Sequence, residues 1–250
     1  MKRPRLIISA LAALLATAAS AAELTVFAAA SVSDALTEIA PAYTRATGDT
    51  LRFNFGASGT LARQIKEGAP ADLILSADEL RVDQLEKAGL ILPGTRQTIL
   101  ANQLVVVVAA ENGAAIPALA DLAKPAVRRI AIGEPATVPA GTYAKQLLEK
   151  LGLWTLVSEK TVPLDNVRAV LAAVEAGNAE AGFVYRTDAL ISKRIRVAVL
   201  VPLAEGPKIT YPVAVVRSTK EPAAAKAFAA FLARPEAQKV FAKFGFLPPN

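Results

Sequence analysis

The sequence predicts an α/β fold. Three observations carry this expectation. Short apolar runs alternate with segments of helical period from Leu24 to Gly89. The composition, 53% hydrophobic and 20% charged over 250 residues, can bury a real core. No internal repeat, low-complexity tract or long Pro/Gly/Ser linker interrupts the pattern. The elements follow in order. Leu24–Phe27 reads as a buried strand, and Ser33–Tyr43 as a helix with Leu36, Ile39, Ala40 and Tyr43 on one face. Leu51–Phe55 alternates as a strand does. Thr60–Glu67 is helical and stops at Gly68-Ala69-Pro70. Leu73–Leu75 is a third strand, and Glu79–Ala88 a third helix closed by Gly89. Alternation of this kind implies parallel strands.

The second half continues in the same way. Strands are predicted at 104–109, 130–132, 182–185, 195–200 and 211–216, and helices at 143–150 and 167–175. Two further helices, 222–233 and 235–244, each open on Pro, whose missing N–H costs nothing in a first turn. If the chain forms two lobes, the crossings must be short and strand-like. The best places for them are Ala101-Asn102-Gln103 and Lys208-Ile209-Thr210.

Residues 1–22 stand apart. Lys2, Arg3 and Arg5 precede the apolar run Leu6–Ala16, and small residues end it at Ala19-Ser20-Ala21-Ala22. This is the secretory pattern, with cleavage expected after Ala21 or Ala22, and the run is shorter than the roughly 20 residues a spanning helix needs. Without Lys2, Arg3 and Arg5 the net charge of +6 halves. A mild basic excess with no basic stripe of interleaved aromatics gives no reason to expect nucleic acid.

The residues that are missing exclude whole classes of chemistry. There is no His and no Cys, so a Ser-His-Asp triad, a thiol nucleophile, a disulfide and the usual zinc or haem sites are excluded. Ser-x-x-Lys, Walker A and Gly-x-Gly-x-x-Gly signatures are also absent. The adjacent pair Ser192-Lys193 reads as a solvated loop edge. Asp72, Asp78, Glu79 and Asp83 could make a carboxylate metal site, but acids at a helix N-terminus are stabilising anyway.

Three turns remain, each rich in small or hydroxylated residues where a helix begins: Ala28–Asp34, Gly56–Thr60 and Val138–Tyr143. First-turn N–H groups lack intrahelical partners and the helix dipole is positive there, so such turns bind anions. The competing reading is ordinary capping, with Ser31-x-x-Asp34 as a capping box. Asp34 is compatible with an anion only if its side chain turns to the helix flank. Tyr185, at the end of an apolar strand, is by local pattern a core or rim residue.

The motifs then meet a family. Val26–Ser31, Ser58–Ile65, Gly68–Leu73, Thr95–Thr98, Val138–Lys145, Asp165–Arg168, Gly182–Tyr185 and Tyr211–Val216 occur in the order and spacing of the periplasmic molybdate-binding proteins of ABC importers, which the chain resembles over nearly all of 24–250. The resemblance implies a two-lobe periplasmic solute-binding fold of type II with the ligand in the interlobe cleft. It implies a signal peptide at 1–22, one lobe from 23–101 plus 212–250, and a second from 102–211. The function implied is capture of molybdate, with tungstate, for an inner-membrane ABC permease by a monomeric periplasmic protein. It implies no enzyme activity and no cofactor, and molybdenum held only as the oxyanion. By motif, the ligand residues would be Ser31, Ser58, Ala140, Val167 and Tyr185, which bind through hydroxyls and backbone amides. Gly56, Gly59 and Asp34 stand where some relatives carry Ser or Ala, Ser or Ala, and Asn, which would tune affinity. The alternatives are the same fold binding another oxyanion such as sulfate, a secreted hydrolase using Ser31 or Ser58, and a sensor subunit that feeds no transporter.

Overall fold

The computed structural model describes residues 21–249, so most of the expected signal segment lies outside the described residues. The chain folds around two five-stranded sheets. The first half contains β1 (Glu23–Ala29), α1 (Ser33–Thr47), β2 (Thr50–Gly56), α2 (Ser58–Lys66), β3 (Leu73–Leu75), α3 (Glu79–Lys87) and β4 (Gln97–Asn102). The second contains β5 (Leu104–Ala109), β6 (Ile130–Gly133), α4 (Pro139–Lys150), α5 (Trp154–Val157), β7 (Thr161–Leu164), α6 (Val167–Glu175), β8 (Ala181–Tyr185), α7 (Arg186–Leu190) and β9 (Ile195–Leu200). Then β10 (Ile209–Val215) returns to the first sheet, followed by α8 (Pro222–Leu232) and α9 (Pro235–Lys243). The sheet orders are β2-β1-β3-β10-β4 and β7-β6-β8-β5-β9.

The expectation of parallel strands holds for only part of each sheet. β1 lies parallel to β2 and β3, and β6 parallel to β7 and β8. These strands are joined through helices, as parallel neighbours must be. The strands that carry the chain between sheets run the other way: β10 is antiparallel to β3 and β4, and β5 to β8 and β9. Only Gln103 separates β4 from β5. The outgoing and returning crossings pair with each other, Asn102 with Ile209 and Ala101 with Thr210. A short two-stranded ribbon therefore joins the halves.

Every residue of β10 is buried, as are Leu104–Val108 in β5, which is why both read as continuous apolar runs. β4 and β7 escaped the sequence reading. β4 carries polar residues at both ends, and β7 contains Pro163, which is tolerated because β7 is an edge strand. On the first sheet, Tyr43 of α1 packs edge-on against Phe228 and Phe231 of α8.

α4 begins at Pro139 rather than Tyr143. Pro fits the first helical position, and Gly141 allows the turn to lie directly on β6, since a Cβ there would sit 1.8 Å from the Gly133 carbonyl oxygen. This places the N-terminus of α4 at the C-terminal end of β6, the edge where open α/β sheets hold ligands.

Candidate functional site

Ser31, Ser58, Ala140, Val167 and Tyr185 line one cavity between the two halves, with about 210 Å³ of empty space including its mouth. Ser31 lies on a single 3₁₀ turn after β1, and Ser58 opens α2 after β2. From the other half, Ala140 comes from the first turn of α4, Val167 opens α6 and Tyr185 ends β8. Every one sits at the C-terminal end of a strand or at the start of a helix. Apart from Asn166, the remaining wall is small or apolar, with Ala29, Ala30, Ala57, Ala77, Val138 and Pro139 among its residues, and among the described residues no charged side chain lines it.

Capping does not account for the two serines. α1 has Val32 at its N-cap and α2 has Ala57, neither with a side-chain cap. Ser31 Oγ instead lies 3.0 Å from the Tyr211 hydroxyl, and Ser58 Oγ accepts from the Ala77 N–H at 2.9 Å. Both serines are buried, at 3% and 1% exposure. The Tyr185 hydroxyl is buried with no hydrogen-bond partner among the described residues. Burial raises its pKa well above 10, so it stays a proton donor.

The helix starts supply further donors. Asn166 caps α6 by accepting from the N–H groups of Arg168 and Ala169, and Thr142 N–H donates to Val138. The amides of Ser58, Ala140 and Val167 have no acceptor among the described residues. These are the orphan N–H groups of three helix starts, brought to one cavity.

Asp34 does not point into the cavity. Its carboxylate pairs with Arg168 at 2.6 Å. Arg168 belongs to α6, so this pair crosses between the halves, and Arg168 also donates to the Ser31 carbonyl at 3.2 Å. Behind it, Arg168 lies 2.7 Å from the fully buried Asp188, which accepts from Tyr185 N–H. Burial pushes the Asp188 carboxyl up to about 6 against the pull of the Arg168 guanidinium. Sequence reasoning quoted Arg168 within a motif but gave it no role.

Two more contacts close the rim. Gly59 N–H donates to Thr137 O at 3.0 Å and Arg81 to Ala136 O at 2.7 Å. A Cβ on Gly59 would lie 2.4 Å from Thr137 O, so here glycine permits close approach of the halves rather than loosening a turn.

The rejected candidates fall elsewhere. Asp78 caps α3, Glu79 and Asp83 pair with Arg96, and Asp72 accepts from Thr25 N–H. Among the described residues no cluster of acids suits a metal ion. Ser192 bonds Glu175, so it is not paired with Lys193.

A sequence model of the bacterial extracellular solute-binding proteins matches residues 24–247. The chain belongs to that family. Among its relatives, this solute-binding protein is 41% identical over 228 residues to the molybdate-binding protein ModA of Escherichia coli, covering 90% of this chain and 88% of that one. It is 41% identical over 224 residues to a putative ABC transporter substrate-binding lipoprotein, YvgL, of Bacillus subtilis, covering 89% and 85%. The periplasmic molybdate-binding protein of Azotobacter vinelandii superposes with a TM-score of 0.82 at 28% identity, covering 91% of this chain and all of that one. A sulfate-binding protein of Mycobacterium tuberculosis shares the fold at a TM-score of 0.78 and 22% identity. The two sheets are therefore the two lobes of a periplasmic solute-binding fold, and the protein is a transport component, not an enzyme.

Proposed function

We propose that this protein captures molybdate, and tungstate, in the interlobe cavity and delivers it to an inner-membrane ABC permease. The observation that carries the reading is a small cavity whose free polar groups are donors on neutral residues: the hydroxyls of Ser31, Ser58 and Tyr185 and the amides of Ser58, Ala140 and Val167, while the Asn166 side-chain oxygen is taken up by its cap. A tetrahedral dianion without a proton offers only acceptors, and such a wall suits it. The similarity to proteins named for molybdate binding selects this anion over others. If each of six donors contributes about 1.5–3 kcal/mol, the gross gain is roughly 9–18 kcal/mol. Lobe closure and lost ligand freedom offset part of it, giving a Kd in the micromolar to nanomolar range, by order of magnitude.

The same reading has the protein act in the periplasm as a monomer after removal of a signal peptide ending near Ala22. Its lobes join at the paired crossings. The division proposed is 23–101 with 212–250 and 102–211, which the antiparallel pairing of β10 with β4 supports. The test is calorimetric titration with molybdate, tungstate, sulfate and phosphate. Saturable heat with molybdate and tungstate, and weak or no heat with phosphate, is expected. No heat with molybdate would overturn the reading.

A further inference from the structure

We propose that Tyr211, oriented by Asn102, fixes the direction of the Ser31 hydroxyl and so makes the site select oxyanions that carry no proton. The inference rests on the oxyanion-binding reading above and names the residues that set its selectivity. Neither Tyr211 nor Asn102 lines the cavity. Both lie in the ribbon that joins the lobes, and both are buried, at 0% and 2% exposure.

The argument follows the protons. Gln103 N–H donates to Asn102 Oδ1 at 2.9 Å, which fixes the amide so that its nitrogen faces the other way. Asn102 Nδ2 then donates to Thr187 Oγ1 at 2.9 Å and to the Tyr211 oxygen at 3.1 Å. An amide nitrogen of this kind cannot accept. Among the described residues the Tyr211 hydroxyl has one other hydrogen-bond partner, Ser31 Oγ at 3.0 Å, and its ring packs on Tyr185 and Phe246. Its proton therefore goes to Ser31. Burial raises the Tyr211 pKa, which keeps that proton in place. Ser31 Oγ then accepts on the protein side, and its own proton finds no acceptor there among the described residues, so its favoured place is the cavity. Ser58 is held in the same way by the Ala77 N–H.

Two of the three cavity hydroxyls are thus locked as donors. A ligand oxygen that bears a proton would meet a serine proton or take the serine's second lone pair, and either way a buried donor would go unpaired. Tyr185 has no such neighbour and sets whatever tolerance remains. Without the Tyr211 hydroxyl, Ser31 could turn a lone pair to the cavity and accept a proton from the ligand.

Chromate and hydrogen arsenate provide the test. At mildly alkaline pH they are tetrahedral dianions of similar size that differ by a proton. Affinities for both, and for molybdate, are measured by titration on the wild type, Tyr211→Phe, Ser31→Ala and the Ser31→Ala/Tyr211→Phe double variant, with melting temperatures to verify folding. The Tyr211→Phe change is expected to narrow the preference for chromate over arsenate by about tenfold or more. In the Ser31→Ala background it should leave that preference unchanged, because its target is gone. Asn102→Asp, which would draw the Tyr211 proton to itself, should narrow the preference at least as much. Equal weakening of both anions by Tyr211→Phe, or an unchanged preference, would overturn the proposal. Failure of the wild type to bind molybdate or chromate would overturn the oxyanion reading beneath it as well.

Discussion

On the proposed reading, the first lobe would grip mainly with hydroxyls, beside the Ser58 amide, and the second mainly with its main chain. Ser31 and Ser58 each present a hydroxyl whose oxygen is already engaged from behind, by Tyr211 and by the Ala77 amide. Across the cavity, Ala140 and Val167 present helix-start amides whose direction is set by the fold itself, and Tyr185 adds one hydroxyl with no partner. An amide cannot be anything but a donor. A hydroxyl can be either, so the first lobe needs neighbours that remove the choice. The comparison predicts where substitutions matter: side-chain changes should be costly in the first lobe and cheap at the amide positions of the second.

The sharpest break would come from replacing both serines. Ser31→Ala and Ser58→Ala should each weaken molybdate binding by about 1.5–3 kcal/mol, and together by about 3–6 kcal/mol, because each removes a donor to a charged acceptor in a dry site. Unchanged titration curves for both single variants would place the ligand elsewhere. Tyr185→Phe should cost about 1–2 kcal/mol, since the buried ring remains and only the hydroxyl is lost.

A smaller effect is expected at the interlobe pair. Asp34→Asn removes a half-exposed partner of Arg168 and should raise Kd only a few-fold, consistent with about 0.5–1 kcal/mol for a partly screened ion pair. Stopped-flow release should show most of that change in the off-rate. Val167→Ala tests the amide side directly. It trims the side chain and keeps the N–H, so binding should change by less than about 0.5 kcal/mol while the melting temperature falls, because Val167 is buried.

The smallest expected effect is that of pH. From about pH 7 to 9 molybdate affinity should be nearly flat, because the chain has no His and the Tyr185 hydroxyl is held well above 10. Below that window Asp188, raised to about 6, takes up a proton as pH falls. Arg168 then loses the charge behind it, and affinity should decline with falling pH. A curve that rises toward acid would contradict this sign.

Much of the site was legible because its residues announce themselves locally. A strand that ends in small residues and a hydroxyl, followed by a helix, marks a place where unpaired N–H groups can meet an anion, and Ser31, Ser58 and Ala140 belong to such turns. Val167 looked like core, because its contribution is an N–H that every residue possesses. Its place in the cavity came through the family motif. Tyr211 and Asn102 were illegible for another reason. Their role depends on contacts spanning 180 and 109 residues, which no local pattern records. The fold shows the same division. The strand-helix alternation from β1 to β3 could be read directly, whereas the antiparallel placement of β10 follows from the chain's return across the ribbon, a fact of topology rather than of period.

The cavity is shared between lobes, and this bears on how cargo leaves. On the proposed reading, no carboxylate would have to take a proton and no ion pair to the anion would have to be exchanged, because no charged side chain among the described residues lines the wall. Each lobe alone holds only a fraction of the donors, and binding strength grows exponentially with their number. Parting the lobes by a few ångströms therefore dismantles the site instead of competing for its contents. On the proposed reading, a hinge motion at the ribbon would turn one receptor into two weaker surfaces.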